Sequence, residues 1–289
     1  MKGRTPIPLS RSIAVPLAPA AAVVAAAVSL APPVAAETLP GHGFGLVDIP
    51  GGRFVMGDTE GDANEVRRAV TVAPFRVMQL EVTNEQFVRF AAASGRVTDP
   101  ERSGAGYVWN LRWRLVPGAD WRHPEGLDSG LDGRMEHPVV QVSARDAAAF
   151  CAFYGLRLPS EEEWEYAARG ADGRRFPWGD TPPEEDGRRR ANFGTVQCCA
   201  PDAGDGYART APVGRFPSGA SPFGLLDMAG NVWEWTASPF PGRPAYVALR
   251  GGGWGNDPYC LRTAYRHGNP PDIGLDMVGF RCAADAPPP

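Results

Sequence analysis

A single α+β domain with little regular secondary structure is what this 289-residue sequence predicts, and three observations carry that expectation. Three segments begin and end in helix-capping signals, four short runs read as strands, and 35 glycines with 30 prolines leave much of the chain to turns. Hydrophobic residues make up 43% and charged residues 21%, which supplies a substantial core and does not resemble a disordered composition.

The first helix is expected in VTNEQFVRFAAASG, where Thr83 and Gln86 form a capping box, Phe87, Phe90 and Ala91 share one face, and Gly95 ends the turn. VSARDAAAFCAFYG repeats the plan with Ser143, Asp146 and Gly155, and PSEEEWEYAARG does so with Ser160, Glu163 and Gly170. Strands are expected at residues 53–58 (RFVMGD), 69–78 (AVTVAPFRVM), 137–142 (HPVVQV) and 247–252 (VALRGG). Residues 170–225 show no periodic run, and so long an irregular stretch needs a metal, a disulfide or aromatic packing to order it. No linker composition follows residue 40, so residues 37–289 read as one domain.

Lys2, Arg4 and Arg11 precede an uncharged, alanine-rich run that closes on the small residues Val34 and Ala36. Its longest proline-free part, residues 20–31, is shorter than the roughly 20 residues a membrane-spanning helix needs. Residues 1–36 therefore read as a secretory signal peptide, giving an exported chain, periplasmic or secreted, without a membrane span in its mature form. A monomer is expected. The net charge of −4 and the scattered arginines give no footprint for nucleic acid.

Export places the five cysteines, Cys151, Cys198, Cys199, Cys260 and Cys282, in an oxidising compartment, where an odd total leaves at least one thiol over. Adjacent Cys198 and Cys199 are not expected to bond each other, because a vicinal ring departs from ordinary disulfide geometry. The four histidines are far apart and no C-x-x-C occurs, so zinc and two-histidine carboxylate sites have no local support.

An ordered series of motifs then points to a family. FVMGD, PFRVMQLEVTNEQFVRF, DWRHPEG, HPVVQVSARDAAAFCAFYGLRLPSEEEWEYAARG, FPWGD, GDGYARTAPVGRFP, GLLDMAGNVWEWT, LRGGGW and GFRCA together resemble the formylglycine-generating enzyme family, or sulfatase-modifying factors, over residues 45–285. The resemblance implies a C-type-lectin-like domain ordered by two calcium ions. It assigns Asp227, Gly230, Val232 and Glu234 to one ion, and Asn192, Phe193, Asp205 and Tyr207 to the other. Hard cations of this kind take carboxylate and backbone carbonyl oxygens from irregular chain. The same resemblance implies a disulfide between Cys151 and Cys282.

Residues 250–260, RGGGWGNDPYC, correspond to the loop that carries two copper-binding cysteines in the family's oxidases, where soft thiolates hold Cu(I) for oxidation of a cysteine side chain to an aldehyde. This loop has Gly253 in place of a serine, only Gly255 or Asn256 where the first cysteine falls, and Cys260 close to, but beyond, the second. Copper is thus reduced to Cys260, which is the candidate reactive thiol beside Trp254, Asn256 and Asp257; a structural role, or a bond to Cys198 or Cys199, is the alternative. Arg262, Arg266 and Asn269 follow and are candidates to line a groove for an extended peptide, the alternative being arginines paired with Glu or Asp. The implied activity is an exported oxidoreductase that matures an exported client protein or peptide product. A calcium-stabilised binding module without turnover is the second expectation.

Overall fold

The computed structural model describes residues 44–286 apart from positions 186 and 197, so the expected signal peptide lies outside the described residues. β1 (Leu46–Ile49) turns at Gly51 into β2 (Gly52–Met56), which pairs antiparallel with β3 (Arg68–Val72). Gly51 has φ 70, and a Cβ there would lie 2.6 Å from the Val72 carbonyl oxygen, so the turn excludes a side chain. The run expected as one strand over 69–78 divides at Ala73 and Pro74, since proline brings no N–H to a ladder. The chain restarts as β4 (Phe75–Met78), which pairs with β1 in a different sheet.

All three expected helices form, each with both halves of its capping box: α1 (Asn84–Ser94) and, after an unexpected short α2 (Asp99–Ser103) and the hairpin β5 (Ala105–Trp109) and β6 (Trp113–Pro117), α3 (Ala144–Phe153) and α4 (Glu161–Arg169). Residues 137–142 are not a strand. Gln141 takes φ 57, which breaks the extended path, and Val139 and Gln141 donate instead to the Val82 and Leu275 carbonyls. Residues 170–225 are irregular as expected. Among the described residues they hold only the ribbon of β7 (Glu184–Glu185) and β8 (Arg188–Arg189) and two 3-10 turns, Ala203–Asp205 and Pro217–Gly219.

β9 (Trp233–Phe240), β10 (Arg243–Arg250), β11 (Arg266–Asn269) and β12 (Val278–Gly279) form a sheet in the order β11-β10-β9-β12, with β12 parallel to β9. β13 (Ala283–Asp285) closes the other sheet against β4. Between the layers, Phe87 and Phe90 of α1 meet Phe150 of α3 at centroid distances of 5.9 and 5.2 Å, and Trp121 meets Phe87 at 5.2 Å. Each such buried ring contributes about 1.5–3 kcal/mol. Trp164, Ala167 and Ala168 of α4 belong to a second core with β1 to β4.

Cys151 of α3 and Cys282 are bonded, with Cα atoms 5.6 Å apart across 131 positions of sequence, as the resemblance implies. On the chain-entropy account a closure of that length stabilises by about 4–5 kcal/mol. It fastens the strand-forming C-terminal segment to a core helix.

Candidate functional site

β10 ends at Arg250 because Gly251 and Gly252 adopt φ 98 and φ 74, turning the chain into the loop of residues 250–260. The loop is interior: Trp254 is 1% exposed, Asn256 3% and Cys260 1%. Asn256 braces it, its Oδ1 accepting from Trp233 Nε1 at 2.9 Å and from the Gly253 amide at 3.0 Å. The Trp254 amide donates to the Asn231 carbonyl at 2.8 Å, its indole donates to the Asp276 carbonyl at 3.2 Å, and the Arg209 guanidinium lies 4.8 Å over its ring. Asp257 accepts from the Tyr259 amide.

Cys260 forms no disulfide. Burial, with the Asp257 carboxylate nearby, pushes its thiol up to about 12 against the opposing hydrogen bond from Tyr265, so it stays protonated at neutral pH. The three residues expected along a peptide groove are buried. Arg262 forms a bidentate pair with Glu65, both contacts 2.8 Å, and its Nε donates to the Tyr259 carbonyl; Arg266 lies 3.0 Å from Glu161, and Asn269 sits within β11. Tyr259 also donates to Asp62 at 2.7 Å, so the segment after β2 closes over the end of the loop.

The two acidic sets meet through Asn231, which has φ 57, a conformation asparagine tolerates better than most residues. Its amide donates to the Asn192 carbonyl at 2.8 Å, and Asn192 Nδ2 donates to Asn231 Oδ1 at 3.2 Å. Gly230 approaches so closely that a Cβ would lie 2.3 Å from the Asn192 carbonyl oxygen. In the first set both Glu234 oxygens are already taken: Arg281 donates to them at 2.7 to 3.0 Å, and Trp164 Nε1 donates at 2.7 Å. Asp227 accepts from the Gly214 amide, and burial pushes its carboxyl up to about 6. With Glu234 so engaged, this set does not fit a calcium ion.

The second set leaves two buried side-chain oxygens unpartnered, the kind of donor a hard cation takes. Asn192 Oδ1 and Asp205 Oδ2 are buried oxygens without a hydrogen-bond partner, and Asn192 is oriented by its Nδ2 donating to the Arg209 carbonyl at 2.7 Å. Asp205 shares Arg189 with Phe193: Arg189 stands 3.7 Å from the Asp205 oxygen and 4.8 Å over the Phe193 ring. Asp205 Oδ1 accepts from the Tyr207 amide at 2.9 Å.

Cys198 and Cys199 are bonded to each other, contrary to the expectation from ordinary disulfide geometry. The chain around them is held to the glycine loop on both sides. The Gly194 amide donates to the Asn256 carbonyl at 2.7 Å, the Asp257 amide to the Val196 carbonyl at 2.8 Å, and the Ala200 amide to the Gly255 carbonyl at 2.9 Å. Cys260 therefore has neither as a partner. Gly255 and Asn256 bring no sulfur and Cys260 remains a buried thiol, so the loop by itself does not fit a two-thiolate copper site. Not singled out by sequence are Glu65, Glu81, Asn231 and Arg281, whose partners lie far along the chain.

A largely irregular α+β domain organised around a buried glycine loop defines a protein of the formylglycine-generating type. The chain belongs to the family described as sulfatase-modifying factor enzyme 1-like domain, whose model matches residues 34–286. Formylglycine-generating enzyme of Streptomyces coelicolor is 41% identical over 291 residues, covering 84% of this chain and 90% of that protein. Inactive C-alpha-formylglycine-generating enzyme 2 of Mus musculus is 39% identical over 273 residues, covering 83% and 86%. Among solved structures, PvdO from Pseudomonas aeruginosa superimposes with a TM-score of 0.64 at 26% identity, covering 83% of this chain and 94% of that one.

Beside Trp254, Asp276 is 2% exposed, pairs with Arg209 and accepts from the Trp109 amide. Burial outweighs both and pushes its carboxyl up to about 7, above the unfolded value of about 3.9. A raised carboxyl favours the folded state most below the unfolded value, and that contribution is lost as pH rises through the folded value. The Asp276 contribution, read as the urea-derived unfolding free energy of the wild type minus that of Asp276→Asn, is expected to decline between about pH 4 and 7, while His267, held down at about 4 by desolvation, acts in the opposite sense in both proteins. An identical slope in the two proteins rules out Asp276 as the source.

Proposed function

We propose that this chain is an exported oxidoreductase of the formylglycine-generating type that oxidatively matures a client polypeptide or peptide product in the periplasm or outside the cell, acting as a monomer. The observation supporting this reading most is the braced, buried glycine loop ending in Cys260, the one cysteine outside both disulfides. The nearest chemistry is oxygen-dependent conversion of a client cysteine side chain to an aldehyde. Cys260 is the reactive thiol, Trp254 forms the wall behind it, and Asn256 and Asp257 hold the loop's shape; Arg262, Arg266 and Asn269 act by positioning the segment that follows.

A second reading, a calcium-stabilised binding module without turnover, draws on the neutral Cys260 thiol and on the lack of sulfur at positions 255 and 256. Aldehyde formation on a cysteine peptide, read by mass spectrometry with oxygen uptake, separates the two. Cys260→Ser is expected to abolish the product while leaving the circular dichroism spectrum unchanged; undiminished turnover removes Cys260 from the chemistry.

Calcium is assigned to the second acidic set, with Asn192 and Asp205 supplying side-chain oxygens and Phe193 and Tyr207 backbone carbonyls. Bound at about 100 times its dissociation constant, an ion stabilises by about 2.7 kcal/mol. A calcium chelator is expected to lower the Tm of the wild type and to leave Asp205→Ala unmoved. A wild-type Tm indifferent to the chelator contradicts the assignment.

A further inference from the structure

The Cys198–Cys199 bond joins neighbours one position apart, so unlike Cys151–Cys282 it closes no length of chain, and opening it releases no long tether. Exposure separates the two bonds further. Cys151 and Cys282 are both 0% exposed, whereas Cys198 is exposed and Cys199 is buried, in the cluster that also holds Trp254 and Cys260. A thiol from outside therefore meets one sulfur of the vicinal pair and neither sulfur of the other bond. The pair also sits where it bears on the glycine loop. The chain on either side of it lies backbone to backbone against residues 255–257, through the Gly194, Ala200 and Asp257 amides. The approach leaves no room for side chains: a Cβ on Gly194 would lie 2.2 Å from the Ala200 carbonyl oxygen and 2.6 Å from that of Gly255, and one on Gly255 would lie 3.1 Å from Cys199 Cβ. Ala200 follows Cys199 directly, so the ring that takes in the 198–199 peptide unit also directs the Ala200 amide at the Gly255 carbonyl.

We propose that the Cys198–Cys199 bond is a redox-sensitive brace on the glycine loop, opened by an external dithiol while Cys151–Cys282 stays closed. One thiolate of the dithiol attacks the accessible Cys198 sulfur and forms a mixed disulfide, releasing Cys199 as a thiolate that takes up a proton. The second thiolate closes the dithiol into its own cyclic disulfide and releases Cys198, which is protonated in turn. The dithiol loses two electrons and two protons, and the pair gains both. With the ring open, the peptide unit between the two residues regains its torsional freedom, and the hydrogen bonds between the flanking chain and residues 255–257 weaken. The brace needs neither the oxidase reading nor the binding-module reading to be correct.

The test uses the full chain, untreated or treated with dithiothreitol over a range of concentrations. Alkylation with peptide mass analysis reads which bond has opened, and amide hydrogen exchange followed by NMR reads Gly194, Ala200 and Asp257. The 198–199 bond is expected to open at concentrations that leave Cys151–Cys282 closed, with those three amides then exchanging about tenfold or more faster while α1 keeps its untreated rates. The double variant Cys198→Ser, Cys199→Ser is expected to exchange fast at the same amides with or without dithiothreitol. Opening of Cys151–Cys282 first or at the same concentration, unchanged exchange at the three amides once the 198–199 bond is open, or slow exchange in the double variant overturns the proposal. If the double variant misfolds, the wild type before and after reduction decides alone.

Discussion

A fully buried guanidinium, that of Arg281, is the interaction on which the rest of the molecule depends. It donates to both oxygens of Glu234 at the start of β9, to the carbonyls of Met78 at the end of β4 and of Gln79 just after it, and to the Leu226 carbonyl immediately after the long irregular segment. Two sheets and a loop that share no ladder are joined at one side chain. Trp164 of α4 completes the shell of Glu234. Removing one partner of such a pair leaves an uncompensated charge, a cost of about 3–5 kcal/mol, so the arrangement fixes geometry more than it adds net stability.

From that anchor the turn before β9 passes its order to the glycine loop through Asn231. Its side chain donates to Glu81 and accepts from the Ala211 amide, its amide reaches Asn192, and its carbonyl receives the Trp254 amide. Glu81 in turn accepts from the Val232 amide. Irregular backbone can be buried here because side chains replace the partners a sheet would have given its amides. In the same way Glu65 accepts from the Asp62 amide and Asn256 from the Gly253 amide.

What was legible in the sequence is what is local. Capping boxes at Thr83, Ser143 and Ser160 depend on residues three apart, and all three helices follow them. The box at Thr98 and Glu101 obeys the same rule, but its helix of five residues has no apolar period to announce it. The segment at 137–142 has strand composition and fails as a strand because Gln141 turns left-handed, a tertiary choice that composition does not carry. Family resemblance placed the 151–282 disulfide, whereas the Cys198–Cys199 bond runs against what ordinary disulfide geometry leads one to expect of adjacent residues. Of the candidate site residues, Trp254 and Cys260 share one buried cluster, whereas Arg262 after them turns to Glu65, 197 positions away, a partner no local pattern announces.

Backbone amide hydrogen exchange tests most directly whether this irregular chain is as firmly held as a regular core. The amides of Gly230, Asn231, Val232 and Trp254 are expected to exchange as slowly as those in the middle of α1 and of the β9–β10 ladder, only through global unfolding. Rapid exchange at these four positions, with α1 and the ladder still protected, contradicts an anchored turn and loop.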